Sequence, residues 1–269
     1  MGSGEPSLIY QAWELVVGLA LVTVLAAVSA AKRYLSAAGV LSGAIIGTGV
    51  LVFGGLGWLV LLMAFTVLGS VLTRTGADLK GMMPELKADR GAKNVLANGL
   101  PPLIFAAAAS LLIGWPWSVA FTAAVAAATS DTVSTEVGML SKSPPRRITR
   151  PWESVPPGIS GGVSAVGTLA GALGAIAIAS LAASMGLLTG PYQIALAASM
   201  GFVGNLLDSL LGDLAEIKYR CGDGAIVEDP SICGSRAERI GYAVINNHTV
   251  NAITISVAGI IAFLLSTIH

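Results

Sequence analysis

The chain has 269 residues, 54% of them hydrophobic and 11% charged, with fifteen Lys and Arg against fifteen Asp and Glu. A soluble domain carries about 25% charged residues, so this composition, with a mean hydropathy of +0.79, excludes an ordinary soluble protein and indicates a polytopic membrane protein.

In chain order, apolar segments run over about 12–31, 39–53, 56–73, 95–113, 117–138, 162–185, 190–212 and 248–267. The stretch 39–73 decides the helix count. As a single helix it would be about 52 Å long, against a hydrocarbon core of about 30 Å. Gly54, Gly55 and Gly57 offer a hairpin between two shorter helices. The prediction is an all-α polytopic transmembrane bundle of about eight helices, or seven if 39–73 is one, forming a single domain over 1–269. Met1 to Gln11 contains no basic residue, so the first segment does not read as a signal peptide.

The fifteen basic residues follow the first, third, fifth and seventh segments, and the alternate connections contain none. Cytoplasmic loops are the Lys/Arg-rich ones. This predicts both termini outside, a multi-pass protein of the cell membrane, and long cytoplasmic loops at about 74–94, 139–161 and 213–247. Long loops on one face of a bundle are expected to hold the function. Gly43/Gly47 and Gly167/Gly171 read as close-packing pairs. The acidic, glycine-rich 221–234 reads as a surface excursion. Its Cys221 and Cys233 read as free thiols, with a disulfide as the alternative, since the loop has too few ligands for a metal.

The fifth segment ends in SDTVSTEVG (130–138) and the seventh in GNLLDSLLG (204–212) followed by Asp213. Acids in an apolar run require a partner, a cation or a wet cavity. Asp131 and Glu136 are five residues apart, as are Asp208 and Asp213, so both pairs reach a similar depth. Hard oxygen ligands suit Mg²⁺, which binds one or two carboxylates plus substrate phosphates. The alternative is ion pairing with loop arginines. A five-residue step turns a helix about 140°, which weakens the case for Glu136 and Asp213 relative to Asp131 and Asp208.

Ahead of the fourth segment, Arg90, Asn94 and Asn98 recur at steps of four and share a helical face, with Lys93 beside it. The loop after the fifth segment contains SKSPPR (141–146) and PPGISGGVS (156–164). Its glycines let backbone N–H groups approach a phosphate near a helix start, with Ser160, Gly161, Gly162, Lys142 and Arg146 as candidates. The last segment opens with NNHTVN (246–251), where Asn247 and Asn251 share a face; His248 reads as a capping or network residue. Neither a P-loop nor an HExxH zinc motif occurs.

NVLANG (94–99), SDTVSTEVG, SKSPPR, PPGISGGVS, GNLLDSLLG and NNHTVN together resemble the phytyl-phosphate and prenyl-phosphate kinase family, integral membrane proteins distantly similar to dolichol kinase. The resemblance covers about 35–265, with departures at the Cys221–Cys233 insertion and at Lys93. It implies a Mg²⁺-dependent enzyme that transfers a phosphoryl group from CTP to an isoprenyl monophosphate drawn from the lipid phase. On that reading Asp131, Glu136, Asp208, Arg90 and Lys142 are catalytic, and Asp131, Glu136, Asp208 and Asp213 hold the metal. Lys93, Asn94, Asn98, Ser134, Arg146, Ser160, Gly161, Gly162, Asn247 and Asn251 bind nucleotide or phosphate. No nucleic-acid partner is expected, and a homo-oligomer is compatible. The rival readings are a CTP-dependent lipid cytidylyltransferase and an ion-coupled transporter.

Overall fold

The computed structural model describes residues 8–75, 91–228, 230–233, 236–240 and 245–268. Among these are eight α-helices: α1 Leu8–Ala31, α2 Ala37–Gly54, α3 Leu56–Thr75, α4 Ala92–Leu111, α5 Trp117–Gly138, α6 Ala165–Ser184, α7 Pro191–Ala215 and α8 Asn247–Ser266. Seven of them are long and apolar enough to cross a membrane. The other is α5, which lies at the centre and packs against α3, α4, α6, α7 and α8. Its side chains explain that position. Ala120, Ala123, Ala124 and Ala126 are fully buried, and small residues let neighbouring backbones approach closely. The surrounding helices turn Leu41, Ile45, Leu169, Leu173 and Ile260 outward, as suits an apolar surface in lipid.

The hairpin at 54–57 forms as expected. α2 ends at Gly54, Gly55 adopts φ +86 and donates to the Leu51 carbonyl, and α3 starts at Leu56. Of the two glycine pairs, Gly167/Gly171 makes the tighter approach: a Cβ on Gly171 would come within 2.6 Å of Asn205 Nδ2 and 2.9 Å of the Ser130 carbonyl. Gly43 and Gly47 face only side-chain methyls at ordinary or near-ordinary distance.

Aromatic rings pack together at one end of the bundle. Trp117 stacks on Phe263 at 4.1 Å, and Trp58 meets Phe121 at 4.5 Å. The opposite end bears the longer loops and two small β elements. β1 (Arg146–Arg147) pairs antiparallel with β2 (Gly162–Val163). β3 (Lys218–Cys221), β4 (Ile226–Val227) and β5 (Ala237–Ile240) form a sheet in the order β4-β3-β5. The predicted all-α class therefore holds for the bundle and gains these strands in the loops.

Two expectations about 221–234 are corrected. Cys221 and Cys233 are not free thiols; they form a disulfide with Cα atoms 5.0 Å apart. Nor is the segment wholly a surface excursion, because Val227 is buried and Glu228 faces the interior. Strand pairing to β3 turns it inward.

Candidate functional site

A cavity of about 210 Å³ opens at the loop end of the bundle, lined from α4, α5, α7, α8, the loop before α6 and Glu228 just past β4. It brings together Asn94, Asn98, Asp131, Ser134, Glu136, Ser160, Gly161, Gly162, Asp208, Asn247 and Asn251. These eleven were all expected from sequence, although they come from five separate stretches of chain.

Asp208 is one of the acids in this cavity. It is buried on the inner face of α7 and accepts from Thr254 Oγ1 at 3.1 Å. With its amide turned so that the nitrogen faces its acceptors, Asn251 donates to Asp208 Oδ2 at 3.0 Å and to the Asn247 carbonyl at 3.0 Å. The first turns of α8 therefore hold Asp208 in place. Asp131, half-buried on α5, is close enough for its charge to repel that of Asp208. Two like charges in a partly dry cavity favour a cation between them. On α4, Asn98 is buried and spends one N–H on the Asn94 carbonyl at 2.9 Å.

The glycine turn packs directly on the end of α7. Gly161 adopts φ +84, and a Cβ there would lie 2.4 Å from Asp213 Cβ and 2.8 Å from its backbone nitrogen. No side chain fits, so the sequence needs glycine at that position. Ser164 caps α6, its hydroxyl accepting the Gly167 N–H at 3.1 Å. The Ser160 N–H points at Glu228 Oε1, 2.6 Å away.

Several expected residues lie elsewhere. Asp213 does not line the cavity. Its carboxylate accepts from Thr149 and lies 3.2 Å from Arg147 Nη1, a charge contact out of line for a hydrogen bond. Glu136 lines the cavity yet accepts from Thr73 of α3. Lys142 and Lys93 are exposed, and Arg146 is turned outward with Nη1 on the Pro151 carbonyl at 2.8 Å. Arg90 lies outside the described residues. Three of the four acids expected to converge, Asp131, Glu136 and Asp208, therefore line the cavity, and Asp213 does not. Among the described residues no three acidic, imidazole or thiol groups assemble as a metal cage. Asp131 and Asp208, with the Thr132 and Ser209 hydroxyls in the same cavity, instead fit a hard cation that takes one or two carboxylates and completes its shell from substrate.

Sequence reading missed Glu228, Glu216 and Lys218. Glu216, just past α7, is 3% exposed, and burial first, then the charge of Glu228, pushes its carboxyl up to about 8. Lys218 is buried with Nζ on the Gly212 carbonyl at 2.6 Å, and burial pulls its ammonium below the usual range. Glu216 and Lys218 had a signal in the run of charges immediately after an apolar helix.

The model for integral membrane protein DUF92 matches residues 20–259. The chain belongs to the DUF92 family of integral membrane proteins. A relative described as an uncharacterized membrane protein of Methanocaldococcus jannaschii is 37% identical over 93% of this chain and 94% of its own. Two Arabidopsis thaliana proteins also match: chloroplastic Protein VTE6, 26% identical over 86% of this chain and 65% of its own, and Protein PGR, 29% identical over 72% of this chain and 76% of its own. No solved structure matches. The DUF92 match spans every cavity-lining stretch, from Asn94 to Asn251.

Proposed function

We propose that this DUF92 protein is a membrane kinase that transfers the γ-phosphoryl group of CTP to an isoprenyl monophosphate, phytyl or geranylgeranyl, giving the diphosphate. The observation that carries the reading is the placement of Asp131 and Asp208 in one polar cavity with four asparagine amides and a glycine turn, at one end of an apolar bundle. The resemblance of those same stretches to phytyl-phosphate and prenyl-phosphate kinases supplies the substrate class.

Phosphoryl transfer requires positioning and charge neutralisation more than covalent chemistry. The acceptor is already a phosphate with a second pKa near 6, so it is an anionic nucleophile at neutral pH, and a strong general base is not needed. Asp131 and Asp208 would hold Mg²⁺, which would neutralise the nucleotide phosphates. The Thr254 and Asn251 hydrogen bonds fix the Asp208 carboxylate for that task. The backbone around Ser160–Gly162 would position a phosphate, and Asn94, Asn98 and Asn247 would orient base or ribose. The prenyl tail would remain between helices in the lipid layer. The Lys and Arg content of the loops at this end supports a site that faces the cytoplasm at the cell membrane.

The polar motifs crowd one end of the bundle, which argues against a carrier with a site reached from both sides. The test is purified protein with a prenyl monophosphate, Mg²⁺ and each nucleoside triphosphate in turn. Prenyl diphosphate with CDP supports the kinase. Release of pyrophosphate instead points to a cytidylyltransferase, and no diphosphate with any nucleotide ends the proposal.

A further inference from the structure

The carboxylate of Glu228 sits against the glycine turn of the cavity. Its Oε1 takes the Ser160 backbone N–H at 2.6 Å, and Glu228 lines the cavity beside Ser160, Gly161 and Gly162. The turn that presents this N–H contains two left-handed glycines, Gly158 at φ +89 and Gly161 at φ +84. The Ile159 and Gly162 N–H groups are spent on the Pro156 and Ile159 carbonyls, so Ser160 supplies the N–H that meets the anion. The anion it receives comes from a side chain 68 residues downstream.

Three features hold Glu228 there. It directly follows β4, whose Val227 is buried and pairs with Tyr219 of β3. The base of β3 is anchored by the Lys218 ammonium on the end of α7. The Cys221–Cys233 disulfide closes the segment containing Glu228 into a loop. A tethered group competes at a far higher effective concentration than the same group free in solution. Behind it, burial and then the charge of Glu228 push the Glu216 carboxyl up to about 8.

We propose that Glu228 is a built-in anionic plug: its carboxylate fills the phosphate-binding turn of the cavity and is displaced when a phosphate-bearing substrate enters. The proposal rests on the reading of the cavity as a phosphate-handling site. Glu228 is then a gating residue that sets the phosphate concentration at which the site fills.

The test uses the full chain in detergent micelles, with inorganic pyrophosphate as the titrated probe in the absence of Mg²⁺, read by calorimetry. Wild type is compared with Glu228→Ala and Glu228→Gln. The alanine removes both charge and acceptor, while the glutamine keeps an accepting oxygen and preserves loop contacts. Loss of a charge-assisted competitor predicts pyrophosphate binding at least about tenfold tighter in both variants. Unchanged or weaker binding in both overturns the plug. So does weaker binding in Glu228→Ala with wild-type binding restored in Glu228→Gln, which marks a loop support, and so does the absence of binding by all three proteins. The prenyl-phosphate assay separates this result from the wider reading. Tighter pyrophosphate binding without turnover keeps the plug and removes the kinase, and turnover without tighter binding does the reverse.

Discussion

Replacing Gly161 with alanine tests whether docking of the glycine turn on α7 builds the site. The residue sits at φ +84, where a Cβ costs about 1–2 kcal/mol from backbone sterics alone. The added Cβ would also meet the backbone of Asp213 at 2.7 and 2.8 Å. Neither atom can rotate away, so the turn or the end of α7 must move, at the overpacking cost of about 1–3 kcal/mol. The total is about 2–5 kcal/mol, or roughly 5–15 °C in thermal midpoint for a chain of this size. Gly114 supplies the control. It has φ +91 at the aromatic end of the bundle and nothing within 4 Å of a Cβ. Gly114→Ala should cost only the backbone component, a few degrees. Both variants would be melted in detergent and assayed for nucleotide KM. Gly161→Ala should melt well below Gly114→Ala and raise KM, because displacing the turn moves Ser160 and Gly162. Equal midpoints for the two variants, with KM within twofold of wild type, would refute the docking argument.

Asp208→Asn keeps side-chain volume but removes the charge held by Thr254 and Asn251; turnover should fall by about 10²–10³-fold, while the midpoint without Mg²⁺ stays level or rises because repulsion with Asp131 is relieved, and retained turnover would remove Asp208 from the site. Glu216, pushed up to about 8 from its ordinary 4.5, binds its proton more tightly folded than unfolded, so its contribution to stability is full below about pH 4.5 and is lost as pH rises through about 8. Glu216→Gln should therefore gain stability relative to wild type between about pH 5 and 8 and level off above, and a pH-independent difference in unfolding free energy would contradict this. Replacing Cys221 and Cys233 with serine opens a link spanning 12 positions and should destabilise the β3–β5 sheet by about 3 kcal/mol; proteolysis of that segment at an unchanged rate would show that the disulfide does not hold it.

The bundle was legible because lipid imposes length and polarity on each segment. The Gly54–Gly57 break followed from arithmetic on helix rise, and helix ends moved only by a few residues, as at Ala92 and Ala165. The site was legible where polarity inside an apolar helix is costly: Asp131, Asp208, Asn98 and Asn251 all line the cavity. The five-residue step also carried information. It turns a helix about 140°, and Glu136 and Asp213, the second acid of each pair, are the two held by Thr73 and by Thr149 with Arg147. What sequence did not reveal depends on contacts between distant stretches. Arg146 and Arg147 are adjacent and chemically identical, and only strand pairing with Gly162–Val163 directs one outward and the other to Asp213. Glu228 reaches Ser160 through a three-stranded sheet with no apolar periodicity long enough to announce it. The cysteines were read from compartment chemistry, whereas their pairing follows from the β3 geometry that places their Cα atoms 5.0 Å apart.

The central claim is that the Asp131–Asp208 cavity transfers a phosphoryl group onto a lipid phosphate. The most direct measurement follows label from the γ position of CTP, with Mg²⁺ and geranylgeranyl or phytyl monophosphate in mixed micelles. The account predicts label in the prenyl diphosphate, unlabelled CDP in equal amount, and loss of transfer in Asp131→Asn and Asp208→Asn. Label recovered as pyrophosphate, or transfer undiminished in both variants, would contradict it.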